Sequence, residues 1–470
     1  MQIWKAIGLL AAACVSIEAA AQCEPMEVQR VQPADASFFS LFGAAVAMSG
    51  DPADRAIIGA FLQDGVGAAY VYRRVGSTWV PDGKLTASDG AEGSYFGTSV
   101  GVFGDYAIVG APGTDDGEGN DLPGAAYIYQ RVNGTWVQKQ KLTVFPGTEF
   151  GSSVSISQGR AMIGDPADFE AGPDAGAVYV FRLAGDTWTL EEKIIATDAT
   201  EADYFGSAVY LDGQRAIIGS LFNDQSQIES GAAYIYIWNG SFWFKQAKIA
   251  PSDPEQEKWF GFAVHIVGDI AVVGAPRDDS AGIDAGAAYF FEWNGVDWSE
   301  SFKTVGSNTG TGDYFGNAVG TDGRKVFVGG YSNDGLAGPD SGAAYTFIKP
   351  AGEWQQTNSV VSAGNAAAFD SYAISLVVRG EWALVGSLSG GSAGLFAGSA
   401  YFYNFHAPAT GDATNDNSVT FADITAVLTH WGATYPGPAG TTGPGDANHN
   451  GVVNFSDITA VLTNFGAQCP

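Results

Sequence analysis

Residues Tyr204 to Lys248 read YFGSAVYLDGQRAIIGSLFNDQSQIESGAAYIYIWNGSFWFKQAK, and they contain the unit from which most of the chain is built. The stretch begins with an aromatic–glycine pair and two short apolar runs that an Asp212-Gly213 turn separates. An acidic loop, the segment GAAYIYIW, an Asn239-Gly240 turn and a strand led by Trp243 follow. Runs in which apolar and polar residues alternate, separated by Asp-Gly and Asn-Gly turns, are typical of short antiparallel strands. The stretch therefore predicts a unit of four β-strands.

Three landmarks of this unit recur along the chain at intervals of about 55 residues. They are an aromatic–glycine pair, a run such as IIGA or VVGAP, and the segment GAAY or a close variant. The aromatic–glycine pairs begin at Phe42, Phe96, Phe150, Phe205, Phe260 and Phe315, and a degenerate seventh copy is predicted at Tyr372-Ala373. Four-stranded repeats of this length are the mark of a β-propeller. The predicted fold class is therefore all-β, a seven-bladed β-propeller of four-stranded blades over residues 22–404.

The seventh repeat ends after its predicted third strand, Tyr401 to Asn404, and no tryptophan-led fourth strand follows. The missing piece is found at the front of the chain, where MEVQRV (Met26 to Val31) precedes the first Phe-Gly pair. We expect this segment to complete the last blade, since pairing it there would cover an exposed sheet edge.

A tryptophan leads the outer strand in six of the repeats. We interpret these residues as packing between blades, with stacking on a ligand as the alternative. They are Trp79, Trp136, Trp188, Trp243, Trp298 and Trp354.

The chain of 470 residues has a net charge of −29, which disfavours nucleic acid as a partner because phosphate binding requires clustered Lys and Arg. No stretch after the N-terminus is long and apolar enough to span a membrane. Acidic residues concentrate in the loops between second and third strands and in the connections between blades, which share one end of a propeller. This acidic face is interpreted either as a solvated surface or as a site for Ca²⁺, a glycan or a protein ligand.

The N-terminus has one early cation, Lys5, then an apolar stretch and the small residues Ala19 to Ala21. This pattern predicts a signal peptide over residues 1–21 and a secreted or cell-surface-attached protein. Lipidation at Cys14 is the alternative. After cleavage Cys23 and Cys469 remain. We predict a disulfide between them, because export favours disulfides and ring closure gives such a link a geometric reason.

The Phe-Gly pairs and the Val-Gly-Ala-Pro runs at 109–112 and 273–276 resemble FG-GAP repeats, which are known from the head propeller of integrin α-subunits. The resemblance covers residues 26–404. It implies a calcium loop between the first two strands of a blade, but most repeats here have a bare turn such as Gly104-Asp105. Only the first repeat has a longer connection, SGDPAD at 49–54, and it lacks the full ligand set. The family's calcium sites are therefore not expected in this propeller.

After a linker at residues 405–410 the chain contains a duplicated segment within a module predicted at 411–470. GDATNDNSVTFADITAVLTHWG (411–432) and GDANHNGVVNFSDITAVLTNFG (445–466) match almost position for position. Each predicts an oxygen-rich loop that runs into an amphipathic helix. The loop positions that place ligands in calcium loops are Asp412, Thr414, Asp416, Ser418, Thr420 and Asp423 in the first copy, and Asp446, Asn448, Asn450, Val452, Asn454 and Asp457 in the second.

The duplication resembles a dockerin, a small all-α module of two calcium loop–helix repeats. The resemblance implies Ca²⁺ as cofactor and a cohesin-type partner that binds residues 411–466 and attaches the protein to a scaffold or cell surface. Thr414, Asn417 and Asn450 depart from the family's pattern and weaken the expected calcium sites. Two helices with polar caps and no calcium are the alternative.

The four histidines of the chain give little support to catalysis, because only His265 lies in the propeller, within the predicted strand AVHIV. The chain contains no G-x-S-x-G elbow, phosphate-binding loop or HExxH motif. A secreted, non-catalytic binding or adhesion propeller with a docking module is therefore predicted. The alternative is a polysaccharide-active propeller enzyme, since a hydrolytic carboxylate pair leaves no spacing signal in the sequence.

Overall fold

The computed structural model describes residues 25–50, 53–113, 123–145, 148–224, 227–335, 337–389 and 396–405, together with Val427 and Val453. Glu27–Asn404 form one compact unit, and the remaining residues are assigned to a second unit. The described residues contain 28 β-strands and two one-turn 3-10 helices, at Gln63–Gly65 and Pro350–Gly352.

The strands form seven four-stranded sheets, in which strands consecutive in the chain pair antiparallel. Blade 1 comprises β2 (Val46–Gly50), β3 (Ala53–Ala60), β4 (Ala68–Val75) and β5 (Thr78–Leu85). Blade 2 comprises β6 (Ser99–Phe103), β7 (Tyr106–Ala111), β8 (Ala125–Val132) and β9 (Thr135–Leu142). Blade 3 comprises β10 (Ser153–Ser157), β11 (Arg160–Asp165), β12 (Ala177–Ala184) and β13 (Thr187–Ile194).

The remaining blades follow the same plan. Blade 4 comprises β14 (Phe205–Asp212), β15 (Arg215–Ser220), β16 (Ala232–Trp238) and β17 (Trp243–Ile249). Blade 5 comprises β18 (Ala263–Val267), β19 (Ile270–Ala275), β20 (Ala287–Trp293) and β21 (Trp298–Thr304). Blade 6 comprises β22 (Ala318–Thr321), β23 (Lys325–Gly330), β24 (Ala343–Ile348) and β25 (Gln355–Val361). Blade 7 comprises β26 (Tyr372–Arg379), β27 (Trp382–Ser387), β28 (Ser399–Asn404) and β1 (Met26–Val31).

The seventh blade confirms the predicted closure of the ring. Its strand order is β1-β28-β27-β26, so the N-terminal strand takes the outer position that the last repeat leaves empty. A backbone bridge between Phe42 and Gly398 joins blade 1 to blade 7, in the same way that Phe96 and Gly67 join blade 2 to blade 1. Tyr372, the predicted start of the degenerate repeat, makes the equivalent bridge to Gly342.

The hydrophobic core lies between adjacent blades. Side chains alternate along the middle strands of each blade, so that Ile57 and Val71 pack toward blade 2 while Ile58 and Tyr72 pack toward blade 7. Strands buried on both faces are apolar without interruption. This explains why the IIGA and GAAY segments show little alternation.

The six tryptophans of the outer strands are buried in these interfaces, which confirms the inter-blade interpretation. Trp79 stacks on Phe402 of blade 7 at a centroid distance of 4.4 Å and meets Trp382 edge-on at 5.6 Å. The seam between the first and last blades therefore has an aromatic core of its own.

The Phe-Gly pair is the point of closest approach between neighbouring blades. Each of its phenylalanines is fully buried, and Phe96 packs edge-on against Tyr127 at 5.4 Å. The carbonyl oxygen of Gly97 passes so close to Gly59 that a Cβ there would lie 2.0 Å from it. Gly97 itself has a φ of +101°, a conformation that favours glycine. Glycine is thus required at both positions for the blades to converge.

Several predicted features lie outside the described residues. These are the signal peptide, both cysteines of the predicted disulfide, the turn residues Asp51 and Pro52, and all the predicted calcium ligands. In the part of the chain that the structure describes, no helix is long and apolar enough to cross a membrane.

Candidate binding face

The loops between second and third strands lie beside the connections between blades. The Tyr204 amide donates to the Asp174 carbonyl at 3.0 Å, and the Gly312 amide donates to the Ile283 carbonyl at 2.9 Å. In each case the loop of one blade holds the connection into the next. We call the end of the propeller that these loops and connections form the loop face. Its loops stand on a rigid scaffold, which is a common location for binding residues.

Blades 1 to 5 carry the same three-part cluster on the loop face. The tyrosine of the GAAY segment lies directly opposite a lysine on the outer strand, as Tyr289 lies opposite Lys303. The Lys303 Nζ is 5.2 Å from the tyrosine ring centroid and donates to Asp253 at 2.6 Å, and the Tyr289 hydroxyl donates to the same carboxylate at 2.9 Å. The other clusters are Tyr70–Lys84–Asp35, Tyr127–Lys141–Asp89, Tyr179–Lys193–Asp168 and Tyr234–Lys248–Asp198.

In blades 1, 2, 4 and 5 the aspartate belongs to the incoming connection, so the cluster attaches that connection to the blade, whereas Asp168 of blade 3 lies in the loop between β11 and β12. Burial would raise the pKa of Asp253, but hydrogen bonds from Lys303, Tyr289 and Lys258 outweigh burial and hold it below its usual value. Burial is likewise the main reason that the pKa of Tyr289 lies far above its ordinary value, with the neighbouring carboxylates adding to it. The carboxylate is therefore charged and the phenol neutral at physiological pH.

Blades 6 and 7 have asparagine in place of the aspartate. The Tyr345 hydroxyl contacts Asn308 at 2.7 Å, and the Tyr401 hydroxyl contacts Asn365 at 3.0 Å. In blade 6 Val360 stands opposite Tyr345, where blades 1 to 5 have lysine. Aspartate and lysine are thus replaced together in blade 6, so the local charge stays balanced there.

Blade 5 has an additional buried ion pair. Lys258, which is fully buried, donates to Asp278 at 2.7 Å and lies 3.2 Å from Asp253. Burial would raise the pKa of Asp278, but hydrogen bonds from Lys258, Ser280 and Tyr289 hold it well below the usual range. In blades 4 and 6 the matching positions are Asp203 with Asn223 and Asp313 with Asn333, joined by amide hydrogen bonds of 3.1 and 2.7 Å.

These contacts reduce the number of free carboxylates on the predicted acidic face. Asp89, Asp168, Asp198, Asp253 and Asp278 are neutralised by lysines, so they are structural groups rather than free ligands. The sequence carried a signal that the prediction missed: a lysine recurs one residue before the end of each outer strand of blades 1 to 5, opposite the GAAY tyrosine.

A continuous aromatic run extends over the loop face of blades 4 and 5. Tyr204 meets Phe222 edge-on at 5.0 Å, Phe222 meets Trp259 edge-on at 5.7 Å, and Trp259 is parallel to Phe262 at 6.3 Å. Phe262 is 40% exposed. The Arg277 guanidinium lies 4.7 Å from the Trp259 ring centroid. We call these four rings and Arg277 the aromatic run.

Carboxylates border the aromatic run. Arg277 pairs with Asp284 at 2.7 Å and with Glu257 at 3.6 Å, and Glu257 is 59% exposed at its side chain. Aromatic surface with a few polar groups at its edge is the usual composition of a ligand site. Tyr204 and Trp259 occupy the same repeat position, directly before the Phe-Gly pair, which is the sequence signal for this site.

In blade 3 an acidic residue, Glu149, holds the position of Tyr204 and Trp259. Its backbone amide donates to Asp165 Oδ1 at 2.9 Å, as does the Thr148 hydroxyl, while Oδ2 of the buried Asp165 has no partner among the described residues. Burial raises the pKa of both carboxyls, and the proximity of Asp165 raises that of Glu149 further. This is a pair of carboxyls that hold protons more tightly than usual.

His265, the one histidine within the propeller, is buried in β18 as expected for a packed residue. Its ring stacks on Tyr210 of blade 4 at a centroid distance of 3.6 Å. Among the described residues, no cluster of three His, Cys, Asp or Glu side chains is arranged to hold a metal ion.

The family model for the FG-GAP repeat matches six segments of the chain, which together cover more than half of it: residues 25–72, 79–129, 136–181, 188–236, 243–291 and 298–347. Five of these segments begin at the tryptophan of an outer strand or next to it, and the first begins at β1 instead. The N-terminal strand thus occupies the place of an outer strand in the family's pattern too. No curated protein matches the chain. The extent of the match and the propeller architecture together show that the chain belongs to the FG-GAP repeat family.

Proposed function

We propose that the protein is a secreted, non-catalytic binding propeller that recognises a glycan through the aromatic run on its loop face. The observation that carries this proposal is the run itself, Tyr204–Phe222–Trp259–Phe262, bordered by Glu257 and Asp284. The C–H faces of a sugar ring pack on aromatic rings, while its hydroxyls donate to carboxylates. A protein ligand on the same face is the alternative to a glycan, and the test below distinguishes the two.

A glycan array probed with the full chain tests this proposal, and hits are verified by calorimetry. Trp259→Ala should weaken binding of each hit by about tenfold or more, since it removes the central ring of the run. Phe242→Ala is the matched control, because Phe242 is an exposed aromatic residue in a turn between third and fourth strands, at the opposite end of the blades. Equal losses in both variants, or an array without hits, would contradict the proposal.

We further propose that residues 411–466 form a dockerin-like module that binds two Ca²⁺ ions and docks to a cohesin-type partner on a scaffold or cell surface. What supports this is the duplicated ligand pattern, which runs from Asp412 to Asp423 and again from Asp446 to Asp457. Calorimetric titration of the chelator-treated full chain with CaCl₂ should give two bound ions. Asp412→Ala combined with Asp446→Ala should abolish both, whereas unchanged titration would contradict the module.

Secretion and a Cys23–Cys469 disulfide belong to the same proposal. Thiol titration of the secreted, denatured and unreduced protein should find neither cysteine reactive. Two reactive thiols per chain would contradict the disulfide.

A polysaccharide-active enzyme is the second candidate, and the Glu149–Asp165 pair is the observation that favours it. A general acid at neutral pH needs a raised pKa, which both carboxyls have. Release of reducing sugar from polysaccharides by the full chain, lost in Glu149→Gln, would support this candidate. If no reducing sugar is released from the polysaccharides that the array identifies, the enzyme candidate is excluded and the binding propeller remains.

A further inference from the structure

The inner strands of all seven blades line a cavity of about 180 Å³ on the propeller axis. The lining residues come from β2, β6, β10, β14, β18, β22 and β26, and neither Asp nor Glu is among them. Most are apolar, and the polar side chains include Ser49, Tyr210, His265 and Arg379. The described lining residues therefore form a mixed apolar and hydrogen-bonding site without a carboxylate among them.

One layer of the cavity is asymmetric. The pairing registers place Ala47, Gly101, Ser155, Tyr210, His265, Gly320 and Val377 at equivalent positions of the seven inner strands. Only Tyr210 and His265 have large polar rings, and they come from adjacent blades. Alanine or glycine occupies three of the other positions, Ala47, Gly101 and Gly320.

His265 is held neutral, in one tautomer. Its Nδ1 accepts from the Thr321 amide at 3.4 Å, as the Ser155 hydroxyl accepts from the Leu211 amide at 3.0 Å in another blade. Burial, with a smaller contribution from the charge of Arg379, lowers the pKa of His265 to about 3. Nε2 therefore carries the proton, and this buried donor has no partner in the described part of the chain.

Arg379 supplies a positive charge at the end of β26. None of the ion pairs within 4.0 Å that the described residues form involves this guanidinium. Its charge acts on both Tyr210 and His265, and Asp212 is the carboxylate whose charge also acts on Tyr210. The Ser49 hydroxyl is buried and has no hydrogen-bond partner among the residues that the structure describes. Unpaired buried donors of this kind are uncommon and call for an explanation.

We propose that the axial cavity binds a small organic monoanion through a carboxylate. Arg379 contributes the compensating charge and a planar fork that matches a carboxylate, and the donors of Tyr210, Ser49 and His265 line the same cavity. One arginine among the described lining residues suits a single negative charge. The size fits an aromatic ring, since a cavity of ~150 Å³ holds benzene. The proposal is independent of the glycan site and of the C-terminal module.

Binding of benzoate to the full chain by equilibrium dialysis tests the proposal, with benzamide as its neutral counterpart of equal shape. Benzoate should bind saturably and at least about tenfold more tightly than benzamide. Arg379→Gln should weaken benzoate binding about tenfold, and Arg379→Lys should restore part of it. Arg324→Gln is the matched control, because Arg324 is an exposed arginine on the turn between β22 and β23.

A second measurement keeps the test decisive if Arg379→Gln fails to fold. In the wild-type chain labelled with ¹⁵N-histidine, benzoate should shift the Nε2–H resonance of His265, assigned with His265→Gln. Inorganic phosphate, added at equal ionic strength, should change the Kd of benzoate by less than about twofold. Equal binding of benzoate and benzamide, an unmoved His265 resonance, effective competition by phosphate, or equal losses in Arg379→Gln and Arg324→Gln would overturn the proposal.

Discussion

Lys258 in blade 5 occupies the position that Asp203 and Asp313 hold in blades 4 and 6, and Asp278 replaces their asparagine partners. A buried charge that loses its partner costs about 3 kcal/mol or more. Asp253 stays 3.2 Å from the Lys258 amine in Asp278→Asn, so this variant should lower the free energy of unfolding by a smaller amount, about 2 kcal/mol, measured by urea denaturation.

The internal repeats provide a rescue for this variant. Adding Lys258→Asp to Asp278→Asn recreates the Asp–Asn pair of blades 4 and 6, and most of the lost stability should return. A double variant no more stable than Asp278→Asn alone would show that the two positions are not a coupled pair.

Asp165 gives a prediction about pH. Burial raises the pKa of this carboxyl in the folded protein, so folding favours its protonated form. The wild type therefore loses stability as the pH rises from the unfolded value near 3.9 through the raised folded value. Asp165→Asn does not ionise, so its melting temperature relative to the wild type should be higher at about pH 8 than at about pH 4. A difference independent of pH would refute the raised pKa.

At the scale of the strand, the repeat landmarks were sufficient to predict blade number, strand order and the displaced Tyr372 repeat. They could not predict the pairing partners of the outer strands, because an irregularity in register shifts every third-to-fourth-strand pairing of blades 1 to 6. In blade 1 the additional residue is Asp82, which accepts from Arg131 and from Trp136 Nε1 of blade 2. A bulge has no sequence signature as strong as an Asp-Gly turn, so these contacts between blades appeared only in three dimensions.

The strand β1 makes the ring closure testable. Removing residues 22–31 exposes the edge of β28, and an unpaired edge promotes association between chains. This deletion should give soluble aggregates in light scattering and a lower melting temperature. Removing residues 22–25 alone is the control, since it leaves β1 intact. A monomeric 22–31 deletion with unchanged melting temperature would argue against the seam.

For the whole molecule, the sequence was most informative about repetition and least informative about the binding sites. The lysine–tyrosine clusters, the aromatic run and the axial cavity each combine residues from different strands or blades, so the recurrent lysine and the aromatic residue before the Phe-Gly pair gain their meaning only from the fold. The acidic loops illustrate the limit. Their composition suggested free carboxylate ligands, whereas the strand register brings lysines into ion pairs with several of these carboxylates. Which contacts form between blades depends on how the residues at equivalent positions differ from one repeat to the next.

The two-part organisation of the molecule has a direct thermodynamic consequence. A module of about 60 residues buries too little apolar surface to be comfortably stable alone, so bound metal can decide whether it folds. At a hundredfold excess over Kd, Ca²⁺ adds about 2.7 kcal/mol to a form that alone binds it. The propeller has an extensive core between its blades and bare turns at the family's calcium position, so its unfolding should be indifferent to the ion.

Differential scanning calorimetry of the full chain, in Ca²⁺ and in EGTA, tests this account of a binding propeller with a calcium-dependent docking module. We expect a large transition at the same temperature in both buffers and a smaller one that Ca²⁺ shifts upward. Asp412→Ala with Asp446→Ala should reproduce the EGTA profile in the presence of Ca²⁺. Identical profiles of the wild type in both buffers would contradict the docking module, and a calcium-dependent shift of the large transition would contradict the propeller's independence.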